Sequence, residues 1–228
     1  RLREAKGRDF HLGLEPEPLG LFETSAETVE FFERLTNGVE DRAAFLQAVG
    51  VNYDTCHLAV EYEGPEDALG RLLEAGIRVS KLHLSSALRL EPTPEALEQL
   101  MSFHEEVYLH QVVVRRGDAV ETRLRDLPEA FSWVSEQGDR GPGDEWRVHF
   151  HIPLHAKPEA GFHATDDHLS GALDFLKTRP DICKHLEMET YTWEVLPEPM
   201  RETNVIDQLV NEYSWTLGEL GSRGFVAS

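Results

Sequence analysis

An apolar run that ends in an acid and then, three residues on, a histidine is the most constraining feature of this sequence: VNYDTCHLAV, residues 51–60. Taken as a buried strand, residues 51–53 put Asp54 and His57 at its C-terminal end, the edge where the loops of an α/β barrel build active sites. A carboxylate and an imidazole placed there are natural metal ligands or an acid/base pair. The same residues have a plainer use, in which Asp54 caps a following turn and His57 is a hydrogen-bonded, half-buried side chain. The choice between the two turns on how the other strands end.

Four more strand-like runs end in the same kind of residue. DFHLGL, residues 9–14, stops at Glu15-Pro16-Glu17-Pro18, where each proline forces the preceding glutamate out of helical dihedrals. An exposed acidic loop is the alternative there. Residues 77–84 alternate so that Lys81 and His83 oppose Leu82 and Leu84, with Arg89 six residues past His83 and a turn-forming Ser85-Ser86 pair between. WRVHFHIP, residues 146–153, puts His149 and His151 on one face and Val148, Phe150 and Ile152 on the other. Two imidazoles so placed can reach one ion, or can simply face solvent. Residues 184–195 put Glu187, Glu189, Tyr191 and Trp193 on one face. A glutamate facing a barrel interior needs a cation or a donor to offset its burial. If Leu186, Met188 and Thr190 face inward instead, both acids are surface charges.

Helical periodicity fills the intervals. Helices are expected over residues 24–35, 39–48, 66–75, 93–102, 127–137, 169–177 and 204–218, the last with Val205, Ile206, Leu209, Val210 and Tyr213 covering a sheet. A hairpin of residues 107–115 and 120–127 interrupts the alternation of strand and helix, with His110 inside its first arm. His155, His163 and His168 fall in a loop and a helix start, where solvation is expected. The expected fold class is therefore α/β, a single domain over residues 1–228, its five strands parallel neighbours in one barrel-like sheet with the hairpin as an insertion. The first residue is Arg1 and a strand follows within ten residues, so the chain reads as one that begins in the middle of a domain.

Charge narrows the partners. A net charge of −20 repels phosphate backbones and anionic headgroups, which argues against nucleic acid and membrane-surface binding. No apolar run approaches the length of a membrane span. Two cysteines without CxxC spacing, Cys56 and Cys183, suit a reducing cytoplasm and make structural zinc held by thiolates unlikely. Oxygen and imidazole ligands without thiolate suit a divalent ion such as zinc or manganese.

The order of a Glu, then D-x-x-H, then a His followed by Arg at six residues, then H-x-H, then a late Glu resembles the C-terminal five strands of the xylose isomerase-like TIM (β/α)8 barrels. That superfamily includes sugar epimerases and isomerases and endonuclease IV. More narrowly, LGLEPEPLGLFET, NYDTCHLAVEYE, VSKLHLSSALRL, VYLHQVVV, WRVHFHIPLH and HLEMETYTWEVLP resemble the EboE family of metabolite traffic proteins across nearly the whole chain. The resemblance implies about three further strands upstream and one divalent ion held by Glu15, Asp54, His83 and Glu189. His57, Arg89 and Lys81 would then contact substrate, Glu15 and Glu189 would exchange a proton, and His149 and His151 compete for the ion.

Two function classes follow. One is a metal-dependent isomerase or epimerase acting on a small sugar- or polyol-like metabolite, with other Ebo-cluster proteins as possible partners. The other is a binding or handover protein that keeps the pocket without turnover. An endonuclease IV-like hydrolase is disfavoured by the acidic charge.

Overall fold

The computed structural model describes residues 6–159, 161–189, 191–201 and 204–225. Most of the polar stretch before residue 9, and Thr190, lie outside these residues. Two sheets make the frame. The first is parallel, with strand order β1 (Leu12–Leu14), β2 (Val49–Asp54), β3 (Val79–Leu84) and β9 (Leu186–Met188). The second is antiparallel, ordered β6 (Ala119–Leu124), β5 (Val112–Arg116), β7 (Glu145–His151), β4 (Ala87–Leu90) and β8 (Phe162–Ala164).

Local sequence explains the helices that cross between parallel strands. Helix α1 (Ser25–Thr36) starts with a capping box: the Thr24 hydroxyl accepts from the Glu27 amide while the Glu27 carboxylate accepts from the Thr24 amide. Its Thr28 and Phe32 face the core. After α2 (Arg42–Ala48), β2 runs close against β3. A Cβ at Gly50 would sit 2.5 Å from the Arg78 carbonyl oxygen, so only glycine permits that approach. Helix α3 (Thr55–Val60) follows β2 directly and is buried throughout. Helix α4 (Pro65–Glu74) begins on Pro65 with Glu66 and Asp67 in its first turn, and ends before Gly76, whose φ of 75° terminates it.

The apolar interior has two main parts. Val51, Tyr53, Leu82 and Leu84 of the parallel sheet pack on Leu69 and Leu72 of α4 and on Leu169 and Leu173 of α7 (Asp166–Thr178). Leu88, Leu90, Val112, Val114, Trp146 and Val148 of the antiparallel sheet pack on Leu100 of α5 (Pro94–Leu100) and on Leu127 and Ala130 of α6 (Leu127–Glu136). Among the described residues no helix is long and apolar enough to cross a membrane.

Three expectations need correction. The strand carrying His149 and His151 is not a fifth parallel neighbour: β3 pairs directly with β9, and β7 lies antiparallel between β4 and β5. The reason lies in Ser85-Ser86. Leu84 ends the parallel pairing, Ala87 begins the antiparallel pairing, and the Ser86 carbonyl accepts from the Ile152 amide, so one run of chain feeds both sheets. The hairpin is part of that second sheet, its first arm beginning at Val112 with Val107, Tyr108 and Leu109 exposed before it. Last, α8 (Val205–Ser222) turns the other way: Ile206, Val210 and Tyr213 are exposed, and Gln208, Glu212 and Thr216 are buried, with a Glu212 carboxylate oxygen accepting the Leu154 amide.

Candidate metal centre

Because β1, β2, β3 and β9 are parallel, their C-terminal ends lie along one edge, and register sets their side chains together. Asp54 stands opposite His83, and His83 opposite Glu187. Glu15 follows β1 immediately, and the Glu189 amide donates to the Leu84 carbonyl just beyond β9.

The result is a cluster centred on one imidazole nitrogen. His83 Nδ1 is 3.1 Å from Glu15 Oε1, 3.4 Å from Asp54 Oδ2 and 3.4 Å from Glu189 Oε2. One donor atom from each of the four lies within 4.8 Å of every other. Ligands bonded to a tetrahedral ion at 2.0–2.1 Å are separated by about 3.4 Å, so these contacts match the edges of a coordination shell. Two of the oxygens, Asp54 Oδ2 and Glu189 Oε2, are buried with no hydrogen-bond partner. Buried carboxylate oxygens are ordinarily satisfied, and a cation is what would satisfy these. The donor set therefore fits a divalent ion.

Asp54 does two jobs at once. Its Oδ1 accepts from the Cys56 amide at 2.7 Å, the His57 amide at 3.0 Å and the Ser85 hydroxyl at 2.6 Å, capping α3. That leaves Oδ2 turned to His83. Burial alone would raise the Asp54 carboxyl; neighbouring His57 and the contact with His83 outweigh it and hold it well below the usual range. Burial would lower His83, but Asp54, Glu15 and Glu189 together push it up to about 10. Glu189 is pushed up to about 9 by burial first and then by its contact with Asp54.

A histidine group adjoins this cluster. On β7, Arg147, His149 and His151 share the face turned to α3, where Arg147 Nη1 donates to the Ala59 carbonyl at 2.6 Å and the guanidinium stacks on Tyr62. This anchors the two histidines beside His57, with ring centroids 4.6 Å away for His149 and 5.4 Å for His151. Burial, and then neighbouring His57, push His149 well below the ordinary imidazole range. His151 falls to about 4, again chiefly through burial. These shifts favour the neutral form of both, the state in which an imidazole binds metal. Cys56 lies within reach of both; burial and then the charge of Asp54 push its thiol well up.

Other expected contacts fall elsewhere. Lys81 Nζ is 3.0 Å from Glu187, and Arg89 pairs with Asp167 at 3.3 Å. Neither lines the cavity of about 270 Å³ that opens over the cluster between Glu15, Glu17, His57, Tyr108, Glu189 and Tyr191. A larger depression of about 610 Å³ along α1, at Glu30, Arg34 and Arg42, is open surface away from this chemistry. His168, expected in solvent, is buried: its Nε2 meets the Tyr53 hydroxyl at 2.9 Å and its Nδ1 meets the Glu63 carbonyl at 3.0 Å. The signal for that was its place on the stripe with Ala172 and Leu176. His110 is buried against Phe150 just before the hairpin, and is absent from the groups among the described residues that could hold a metal ion. Glu17 and Tyr108 were not singled out as site residues, although Glu17 repeats the Glu-Pro step that places Glu15.

Comparison with protein-family models, curated proteins and solved structures finds no match to this chain.

Proposed function

We propose that this chain is an EboE-like protein that acts as a divalent-metal-dependent isomerase or epimerase on a small polyol-like metabolite, in the cytoplasm. The observation that carries the reading is the convergence of Glu15, Asp54, His83 and Glu189, two of whose carboxylate oxygens are buried without partners. The four-strand parallel sheet with candidate ligands at its C-terminal ends is the part of the fold that supports a xylose isomerase-like reading; the H-x-H strand lies outside it, in the antiparallel sheet. A bound ion would supply Lewis acidity toward a vicinal hydroxyl and carbonyl.

The chain's own residues have separable parts in this. Glu15 and Glu189 flank His83 and both line the cavity, placed to take a proton from a substrate carbon and return it. His57, whose Nδ1 lies 3.0 Å from the Pro16 carbonyl oxygen, lines the same space. Tyr108 and Tyr191, in edge contact at 5.3 Å, form one side of it. With Lys81 and Arg89 occupied elsewhere, the described lining holds carboxylates, phenols and an imidazole but no lysine or arginine, which favours a neutral polyol over a sugar phosphate.

The test is metal-dependent exchange of substrate C–H hydrogen with deuterated solvent across a panel of polyols and ketoses, read by NMR. Exchange that needs the ion and disappears in Glu189→Gln is expected. A binder that holds the same polyols with no exchange at any metal loading would instead be a handover protein, the second class.

A further inference from the structure

A half-open groove of about 630 Å³ lies between the end of α5, the segment leading into β8 and the 3₁₀ turn Glu198–Met200. It shares no lining residue with the cavity over the ion cluster. Its volume is in the range of about 300–1,000 Å³ usual for ligand clefts. The floor is aromatic: Phe103 and Phe162 meet edge to face at 5.4 Å, and Phe103 rests in turn on the buried Phe150 at 5.2 Å. Pro158, Pro197 and Met200 complete the apolar lining. Two turns hold the sides. The Phe162 amide donates to the Glu159 carbonyl at 3.2 Å, and the Met200 amide donates to the Pro197 carbonyl at 2.9 Å.

The rim is acidic. Glu98, Glu159 and Glu198, one from each of the three segments, line the groove as exposed residues, and its described lining holds no lysine, arginine or histidine. Among the described residues these three carboxylates form no ion pair. Arg201, next in the chain to Met200, is placed 5.7 Å from the centroid of the Trp193 ring instead. Carboxylates on three separate segments call for more than one positive charge, which a peptide carries on neighbouring side chains. We infer that this groove binds a basic peptide segment of a partner protein, with a bulky apolar side chain seated on Phe103 and Phe162 and lysines or arginines facing Glu98, Glu159 and Glu198. The apolar contact is the anchor, and the rim charges orient the segment and speed its approach.

Fluorescence anisotropy of the full chain with a labelled Lys-Arg-Phe-Leu-Lys-Arg peptide tests this, at an ionic strength of about 0.15 M. A net charge of −20 attracts any basic peptide, so the control peptide keeps the four charges and replaces Phe and Leu by Ala. It is expected to bind about tenfold more weakly or worse, the effect of losing an anchor. Ser102→Trp, which fills the groove from an exposed position, should weaken the first peptide by a similar factor. Combining Glu98→Gln, Glu159→Gln and Glu198→Gln should also weaken it and flatten the dependence of affinity on salt. Glu30→Gln and Glu33→Gln, on the open surface of α1, should change nothing. Equal binding of the two peptides, or unchanged affinity in both Ser102→Trp and the triple variant, would overturn the groove as the site. So would the absence of saturable binding to the wild type at millimolar peptide.

Discussion

The Ser85 hydroxyl lies 2.6 Å from Asp54 Oδ1, so a residue at the junction of the two sheets holds one oxygen of the carboxylate while the other faces His83 at 3.4 Å. Removing that hydroxyl in Ser85→Ala leaves Asp54 with two amide donors. Zinc affinity is expected to fall 10 to 100-fold, the usual effect of losing an outer-shell partner, with calorimetric titration as the measure.

Asp54→Asn separates the two uses of that side chain. The amide oxygen can still cap α3, so the melting temperature should stay closer to wild type than in Asp54→Ala, which loses a cap worth about 1 kcal/mol as well. Ion binding should be lost in both. An Asp54→Asn protein that binds zinc normally would show that the carboxylate is only a cap.

His83→Gln should weaken the ion at least tenfold, because its Nδ1 is the point on which three carboxylates converge. His163→Gln, on an exposed position of β8, should leave affinity unchanged. If His83→Gln binds normally and His149→Gln binds nothing, the centre belongs to β7 alone.

The pH dependence has a definite sign. His83, raised to about 10, and Glu189, raised to about 9, both bind protons more tightly in the folded chain than in the unfolded one. The chelated protein should therefore lose stability as pH rises from about 4.5, where an unfolded glutamate titrates, toward 10, since the unfolded state releases those protons first. Asp54 acts oppositely, its contribution present above the ordinary carboxylate range and lost on acidification. Zinc must displace the same protons, so its affinity should rise by up to about tenfold per pH unit for each proton released and level off above pH 9–10. Urea midpoints at pH 6 and 9, with chelator and with zinc, check both statements; a flat chelated profile would contradict them.

Tyr53→Phe strips the hydroxyl from His168 Nε2 at a buried site on the helix side of the sheet. A destabilisation of about 1–3 kcal/mol is expected from the orphaned nitrogen, with zinc affinity unchanged. Chemical denaturation and titration of the same preparation separate the two.

The residues at the strand ends were legible because parallel strands place every C-terminus on one edge, so an acid or histidine after each apolar run is a statement about one place. Asp54 caps α3 with one oxygen and leaves the other in the strand-end cluster, a division that spacing alone could not foresee. The partner of β7 was not legible. WRVHFHI is buried on both faces, and nothing in its alternation distinguishes a parallel neighbour from β4 and β5. Arg89 sat at the expected distance from His83 along the chain, but the turn of sheet at Ser85-Ser86 sends it to Asp167. In α8 the apolar stripe was real and its orientation was not, since Gln208 and Glu212 face inward. Periodicity finds a stripe; what covers it is decided by the rest of the molecule.

The run from Val79 to Leu90 belongs to both sheets, with only Ser85 and Ser86 between its two halves. Its first half carries His83, and its second half lies against Trp146, which is paired with Leu90 and fixed by its indole donating to the Pro142 carbonyl at 2.7 Å. Because that run is unbroken, one stretch of backbone fixes both the candidate ion cluster at His83 and the centre of the second sheet at Trp146.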